Sequence, residues 1–417
     1  MKEKKRYEIG PGIGLTVVPT TRFKLSYMSA NFVLPLARET AGFGALLPEV
    51  LAAGGTRGRA ALEAELEELY GAILSSGVRK KGECQIASLG LRFPESRYTG
   101  DETQLARSVE LLCGLLLNSS FSEEQVETEK KNLVDRIEAK LNDKRGYAID
   151  RCVETMCADE AYGVPELGER TQVERITAAE LTDFYRKVQK TVPVELFFIG
   201  STDADELAQK LRTAFASVQR ELRTFPVTEV RPAGKTKEKE EALPVNQGRL
   251  TLGFRTGITV RDARYPALLL FNAIYGGTAS SKLFLNVRER LSLCYDVSSI
   301  QEKVKGIMLV ASGIQPADRA RAQSEILAQL EAMREGAFTE EEIREAVTIV
   351  TNALRSAEDA TTLIEDGELT RLLAGGGLET GALIDALGKV KKEEIVAVAR
   401  TVALDTVYFL NSSEVKR

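Results

Sequence analysis

The stretch Gly276-Gly277-Thr278-Ala279-Ser280-Ser281-Lys282-Leu283-Phe284, continued by Val287-Arg288-Glu289-Arg290-Leu291-Ser292-Leu293-Cys294-Tyr295, has a counterpart in the first half of the same chain. There Pro48 to Ala53 runs into Gly54-Gly55-Thr56, a charged helix-like stretch follows, and Tyr70 to Ser76 comes next. In the second half Phe271 to Tyr275 runs into the glycines, another helix-like stretch follows, and Tyr295 to Ser299 comes next. A second recurrence lies nearer each end. Ile176 to Tyr185 precedes the strand-like Val194 to Ile199, and Val390 to Ala399 precedes Thr406 to Leu410. Gly54 and Gly276 are 222 residues apart, and Ile176 and Val390 are 214 apart. A shared offset near half the chain length reads as a duplicated domain.

Between the copies, Arg223 to Gln247 holds three prolines and a mixed-charge run with little apolar periodicity, the pattern of a solvated connector. The expected organisation is a first domain over 1–222, a linker over 223–247 and a second domain over 248–417. Each domain reads as mixed α and β. Leu15 to Val18 and Lys24 to Leu34 alternate like paired strands, and Glu63 to Tyr70 has helical spacing. Ser122 should cap a helix running to about Asn142, with Val126, Leu133, Ile137 and Leu141 on one stripe. In the second domain Arg249 to Phe254 and Ile307 to Ser312 read as strands, and Pro266 to Ile274, Pro316 to Glu335 and Thr339 to Ser356 as helices. Gly375-Gly376-Gly377 lacks the Lys-Ser/Thr of a phosphate loop and reads as a helix C-cap. The implied fold is α+β: helices covering one face of an antiparallel sheet, twice over.

Composition narrows the function. Of 417 residues 43% are hydrophobic and 28% charged, the balance of a globular protein, with a net charge of −5. That sign argues against nucleic acid as a partner. No apolar run approaches the ~20 residues of a membrane span, and the charged start gives no signal-peptide pattern, so no membrane partner is expected. The five cysteines, at 84, 113, 152, 157 and 294, follow no disulfide or zinc-ribbon spacing and read as buried thiols in a reducing cytoplasm. There is no histidine. Any mechanism that needs an imidazole as ligand or base is excluded within this chain. A serine or cysteine nucleophile would have only Lys or a carboxylate as its base, and no Ser-x-x-Lys stands out.

The quoted stretch, with its Arg-x6-Tyr spacing, resembles the C-terminal domain of the M16 peptidases, the inverted-motif zinc peptidases that include pitrilysin, insulin-degrading enzyme and the mitochondrial processing peptidase. The order of landmarks along almost the whole chain is similar to subfamily B. The resemblance implies two homologous domains forming half of a clam shell. In active relatives the helix before the first Gly-Thr carries His-x-x-Glu-His, two zinc ligands and a base. The matching residues here are Leu46-Leu47-Pro48-Glu49-Val50, with apolar Leu46 and Val50 at the ligand positions. The third ligand position falls on Arg136, a cation. Glu49 alone survives and is expected to be an exposed or capping residue. No metal and no cofactor are therefore expected.

Arg288 and Tyr295 match, in type and spacing, the pair with which active relatives hold a peptide carbonyl and its tetrahedral oxyanion. Gly276 and Gly277, in the Gly-Gly-Thr at 276–278, resemble in position the glycine-rich loop of the processing peptidase's non-catalytic subunit, without that loop's length or its many glycines. With the zinc ligands lost and this pair kept, the resemblance implies a non-catalytic subunit. Its partner would be a catalytic M16 subunit with an intact His-x-x-Glu-His in a heterodimer, and its ligand a peptide added at a sheet edge. The alternatives are a homodimeric peptide-binding module and a structural subunit without enzymatic role.

Overall fold

The computed structural model describes every residue except Met1, Lys2, Ser119, Leu222, Arg223, Phe225, Pro226 and 413–417. The expected boundary at 222/223 lies outside the described residues. Two compact units emerge, one built from Met1–Ala139 with Val164–Val227, the other from Lys140–Gly163 with Thr228–Arg417. The division thus differs from a single cut near the middle: residues 140–163, read in sequence as part of the first domain, pack with the second.

In the first unit, β1 (Lys5–Gly10), β2 (Ile13–Pro19), β3 (Leu25–Pro35), β4 (Ile73–Lys81), β5 (Cys84–Pro94) and β6 (Val194–Gly200) form one sheet in the order β1-β2-β6-β3-β5-β4. In the second, β7 (Lys237–Leu243), β8 (Gly248–Arg255), β9 (Cys294–Glu302), β10 (Ile307–Ile314) and β11 (Ala403–Ser412) follow the order β7-β11-β8-β10-β9. All pairs are antiparallel except β2 with β6 and β7 with β11. Apart from β1, the two sheets share one topology, strand for strand and with the same parallel pair. This is the structural form of the duplication.

Alternation explains how each sheet is covered. In the second unit Leu250, Leu252, Phe254, Met308 and Val310 face a core shared with the helices Tyr265–Asn272, Arg319–Arg334 and Lys392–Thr401. The intervening Ile307, Leu309, Tyr408 and Leu410 face the opposite way, onto Ala148, Cys152, Val153 and Met156 of the helix Lys144–Met156. Helices therefore cover both faces of this sheet, because the residues facing away from the main core are themselves apolar. Thr339 and Glu342 form a capping box at the start of Glu340–Ala357, and Gly375 ends Thr361–Ala374 in the left-handed region. All five cysteines are buried and free. No helix among the described residues is long and apolar enough to cross a membrane.

Two expectations need correction. The helix after Ser122 spans Glu123–Ala139 and stops short of Leu141, which is 40% exposed. Asp143 takes over there, accepting from the N–H groups of Arg145 and Gly146 to cap the next helix. The linker over 223–247 contains a strand, β7, reading KEKEEAL. Three of its four half-buried positions, Lys237, Lys239 and Glu241, are polar because they are paired. Lys237 donates to the carbonyls of Thr155 and Met156, while Glu241 accepts from Arg151, Tyr147 and Tyr408. Its outward charges suit the edge of a sheet.

Glu160, Arg255, Lys305 and Asp405 form a buried ionic cluster in the second unit. Arg255 donates to Glu160 and to Asp405, and the fully buried Lys305 ammonium lies 2.6 Å from Glu160. Burial alone would raise the Glu160 carboxyl. The hydrogen bonds from Arg255 and Lys305 outweigh it and hold the group down at about 2. A carboxyl whose folded value lies below its ordinary 4.5 adds stability above that pH, lost as pH falls toward 2. Glu160→Gln should therefore cost about 3 kcal/mol at pH 7 in urea unfolding. Its stability should also fall less steeply than the parent's between pH 5 and pH 2; parallel curves would contradict this.

Candidate functional site

The residues matched to the zinc motif lie on the helix Arg38–Ala52. Leu46 and Val50, one turn apart, are fully buried in the core beneath the sheet. Pro48 lies inside the same helix and offers no N–H to the carbonyl of Gly44. Glu49 points elsewhere. Its Oε1 accepts from Arg136 Nη1 at 2.5 Å, and its Oε2 accepts from Ser76 Oγ of β4 at 2.6 Å. Arg136 comes from Glu123–Ala139, so three elements meet at this one carboxylate. The expectation of an exposed or capping Glu49 is corrected: its side chain is 17% exposed and ion-paired.

Zinc does not fit this arrangement. Two of the three matched positions are hydrocarbon in the core, and the third is a guanidinium bonded to the Glu49 carboxylate. Among the described residues no cluster of three His, Cys, Asp or Glu side chains is placed to hold a metal. Both Glu49 oxygens are engaged, one by a guanidinium and one by a hydroxyl, with no metal-ligating cluster beside them to activate a water among the described residues.

Arg288 and Tyr295 lie in the second unit, on either side of one turn. Leu283–Arg290 is wound as a π-helix, and Ala273–Gly277 forms another π turn before it. The wider winding adds a residue per turn and is found often at functional positions. Ser292 ends the helix at φ 50°, its N–H donating to the Arg288 carbonyl at 3.1 Å, while Leu293 N–H reaches Val287 at 2.9 Å. Ser292 and Tyr70 are the two non-glycine residues with positive φ among those described, and each stands just before a matching strand, β9 or β4. Such backbone is strained for a residue with a Cβ.

The Arg288 guanidinium stacks 4.6 Å from the Phe284 ring centroid, and its Nε is 3.7 Å from the carboxylate of Glu289. Its side chain is 41% exposed. Tyr295 is 49% exposed, and its hydroxyl accepts from Gln315. Both groups are open to solvent. Gly276 is buried, and a Cβ there would meet Leu283 Cδ1 at 2.6 Å and Ser299 Oγ at 2.9 Å. Its identity is accounted for by that close approach. Gly277, exposed, backs onto Asn272.

The units carry matched hydrogen bonds. Ser299 of β9 donates to Asn272 Oδ1 at 2.7 Å, just as Ser76 of β4 donates to Glu49. In each, a helix residue shortly before the Gly-Gly-Thr is tied to the strand that follows. Sequence reading missed these serines, and also Asp296, Arg249, Arg145 and Gln315 around Tyr295. Residues scattered over four elements leave no spacing signal. Only the repeated Ser-Ser, at 75–76 and 298–299, was open to detection.

Fold and site together define a peptidase-type scaffold whose residues at the matched zinc positions are not zinc ligands. Residues 175–350 match the family described as the peptidase M16 inactive domain. The chain is 31% identical over 412 residues to YmfF of Bacillus subtilis (strain 168), described as a "Probable inactive metalloprotease", covering 97% of this chain and 96% of that protein. Similarity extends at 26% identity to SCO5738 of Streptomyces coelicolor, described as an uncharacterized zinc protease, over 72% of this chain and 67% of that one. A crystal structure of a conserved protein from Enterococcus faecalis V583 superposes with a TM-score of 0.89 at 27% identity, covering 98% and 99% of the two chains. The chain belongs to the M16 peptidase family. It is a non-catalytic member.

Arg136→Ala should cost about 1–2 kcal/mol by leaving the largely buried Glu49 with Ser76 but no cation. Adding Glu49→Ala to it should cost less than the sum of the two single changes, measurable by a double-mutant cycle in urea. Equimolar zinc should leave the melting temperature unmoved; a rise of several degrees would mean a site that the donor set does not provide.

Proposed function

We propose that this chain is the non-catalytic subunit of a heterodimeric zinc peptidase. It supplies Arg288 and Tyr295 to a site whose zinc and base belong to a partner with an intact His-x-x-Glu-His. The single observation that carries this reading is the contrast between the two units. The positions of the lost metal site are sealed by core packing and an ion pair, while Arg288 and Tyr295 remain solvent-exposed on a strained turn.

The chemistry each would bring is simple. The Arg288 guanidinium donates to peptide carbonyls, and the Tyr295 hydroxyl donates to the oxyanion that forms when the partner's metal-bound water attacks. Tyr295 can donate its own proton because it already accepts from Gln315. The substrate is an extended peptide. β9 ends its sheet in the strand order, so its outer edge offers backbone groups to an added strand. The buried free thiols favour a reducing compartment such as the cytoplasm.

Mixing the purified chain with a catalytic M16 subunit from the same source should give a heterodimer with peptidase activity that neither chain has alone. In that complex Tyr295→Phe and Arg288→Ala should each lower kcat on the order of 10²-fold, with the heterodimer intact by light scattering. Full activity in both variants would overturn the proposal.

A further inference from the structure

Tyr295 sits where β9 carries one residue too many. Ile314 pairs with Cys294 and Gly313 with Asp296, so Tyr295 has no partner on β10. Such a bulge re-aims the side chains next to it. Beside it three residues lie in register across three adjacent strands: Arg249 on β8, Gly313 on β10 and Asp296 on β9. The middle one has to be small. A Cβ on Gly313 would come within 2.5 Å of Asp296 Oδ1 and 2.6 Å of Arg249 Nη1. The glycine lets Arg249 lie flat across β10 and donate to Asp296 at 2.7 Å.

A second guanidinium reaches the same carboxylate from the start of Lys144–Met156. Arg145 Nη1 stands 3.6 Å from Asp296 Oδ2, and Arg145 Nη2 donates to Ser298, two residues along β9. Asp296 Oδ2 accepts no hydrogen bond, and Arg249 Nε, also buried, donates none. Among the described residues Asp296 is the only acidic group paired with either arginine. Two fixed cations therefore share one anion. Arg249 at 2.7 Å takes the larger part of it, and Arg145, 37% exposed and 3.6 Å from Oδ2, is only partly compensated. A planar fork so placed is suited to a carboxylate.

We propose that Arg145 and Arg249, set around Asp296, form a carboxylate-binding subsite beside Tyr295. The ligand is a peptide bearing a carboxylate, either an acidic side chain or the free C-terminus. This rests on the peptide-binding reading above and adds the class of peptide selected. Asp296 is a positioning residue: held by Arg249 over Gly313, it fixes the bulge and the place of Arg145.

The test uses the chain alone, so that it does not depend on a catalytic partner. Fluorescence anisotropy would compare extended peptides matched except for Glu against Gln at one internal position, and for a free against an amidated C-terminus. At least one acidic form should bind about tenfold more tightly than its neutral match, and the preference should shrink as salt is raised. Which pair shows the preference tells the side chain from the C-terminus. Arg145→Gln, at a half-exposed position, should abolish the preference with an unchanged melting temperature. Gly313→Ala, which drives Arg249 and Asp296 apart, should reduce it. Equal affinity for acidic and neutral peptides, a preference that survives Arg145→Gln, or no binding of any of the four peptides would each overturn the subsite. Loss of activity in Arg288 or Tyr295 variants of the heterodimer is read separately, so that either proposal can fail while the other stands.

Discussion

Glu49 is held by Arg136 on one oxygen and Ser76 on the other, and the chemistry left to the first unit follows from that contact. A metal site concentrates several lone pairs on a divalent cation, which then acidifies water. Arg136 brings a single, delocalised charge with directional N–H donors and no vacant orbital. It neutralises the carboxylate and does nothing to water. The flanking positions reinforce this, since Leu46 and Val50 are part of the core under the sheet. Restoring ligands there would mean placing imidazoles inside a close-packed interior as well as removing a cation.

The two units start from one topology and diverge at the same place in it. Each has a helix leading to Gly-Gly-Thr, a strand that follows, and a serine on that strand bonded back to the helix, Ser76 to Glu49 and Ser299 to Asn272. In the first unit the junction is closed by an ion pair. In the second, the helix is rewound into π turns, Ser292 adopts a strained conformation, and β9 opens with a bulge at Tyr295. Two π turns, a strained serine and a bulge between Ala273 and Tyr295 are costly to keep, and such strain collects where side chains must be presented. Arg288 and Tyr295 are the side chains presented.

Much of the fold was legible in sequence because its signals are local. The strands at Leu15–Val18 and Arg249–Phe254 alternate, Thr339 opens a helix, and Gly375 terminates one, each within a few residues. β7 was illegible for a physical reason. Its inward positions are Lys and Glu, stabilised by Arg151, Tyr408 and the end of a helix, so hydrophobic periodicity is absent although the strand is real. The transfer of 140–163 to the second unit was hidden likewise. Ala148, Cys152, Val153 and Met156 announce an amphipathic helix and do not say which sheet they cover.

By itself the sequence determined that this chain has no imidazole, that apolar Leu46 and Val50 and cationic Arg136 stand at the positions matched by resemblance to a zinc motif, and that one fold is used twice. Those are matters of residue identity and spacing, which need no coordinates. Only the tertiary structure decided that Arg136 would turn to Glu49, and that Arg249 would cross Gly313 to Asp296. Partners 87 and 47 residues apart along the chain leave no periodic trace; strand register and helix packing alone bring them within a hydrogen bond.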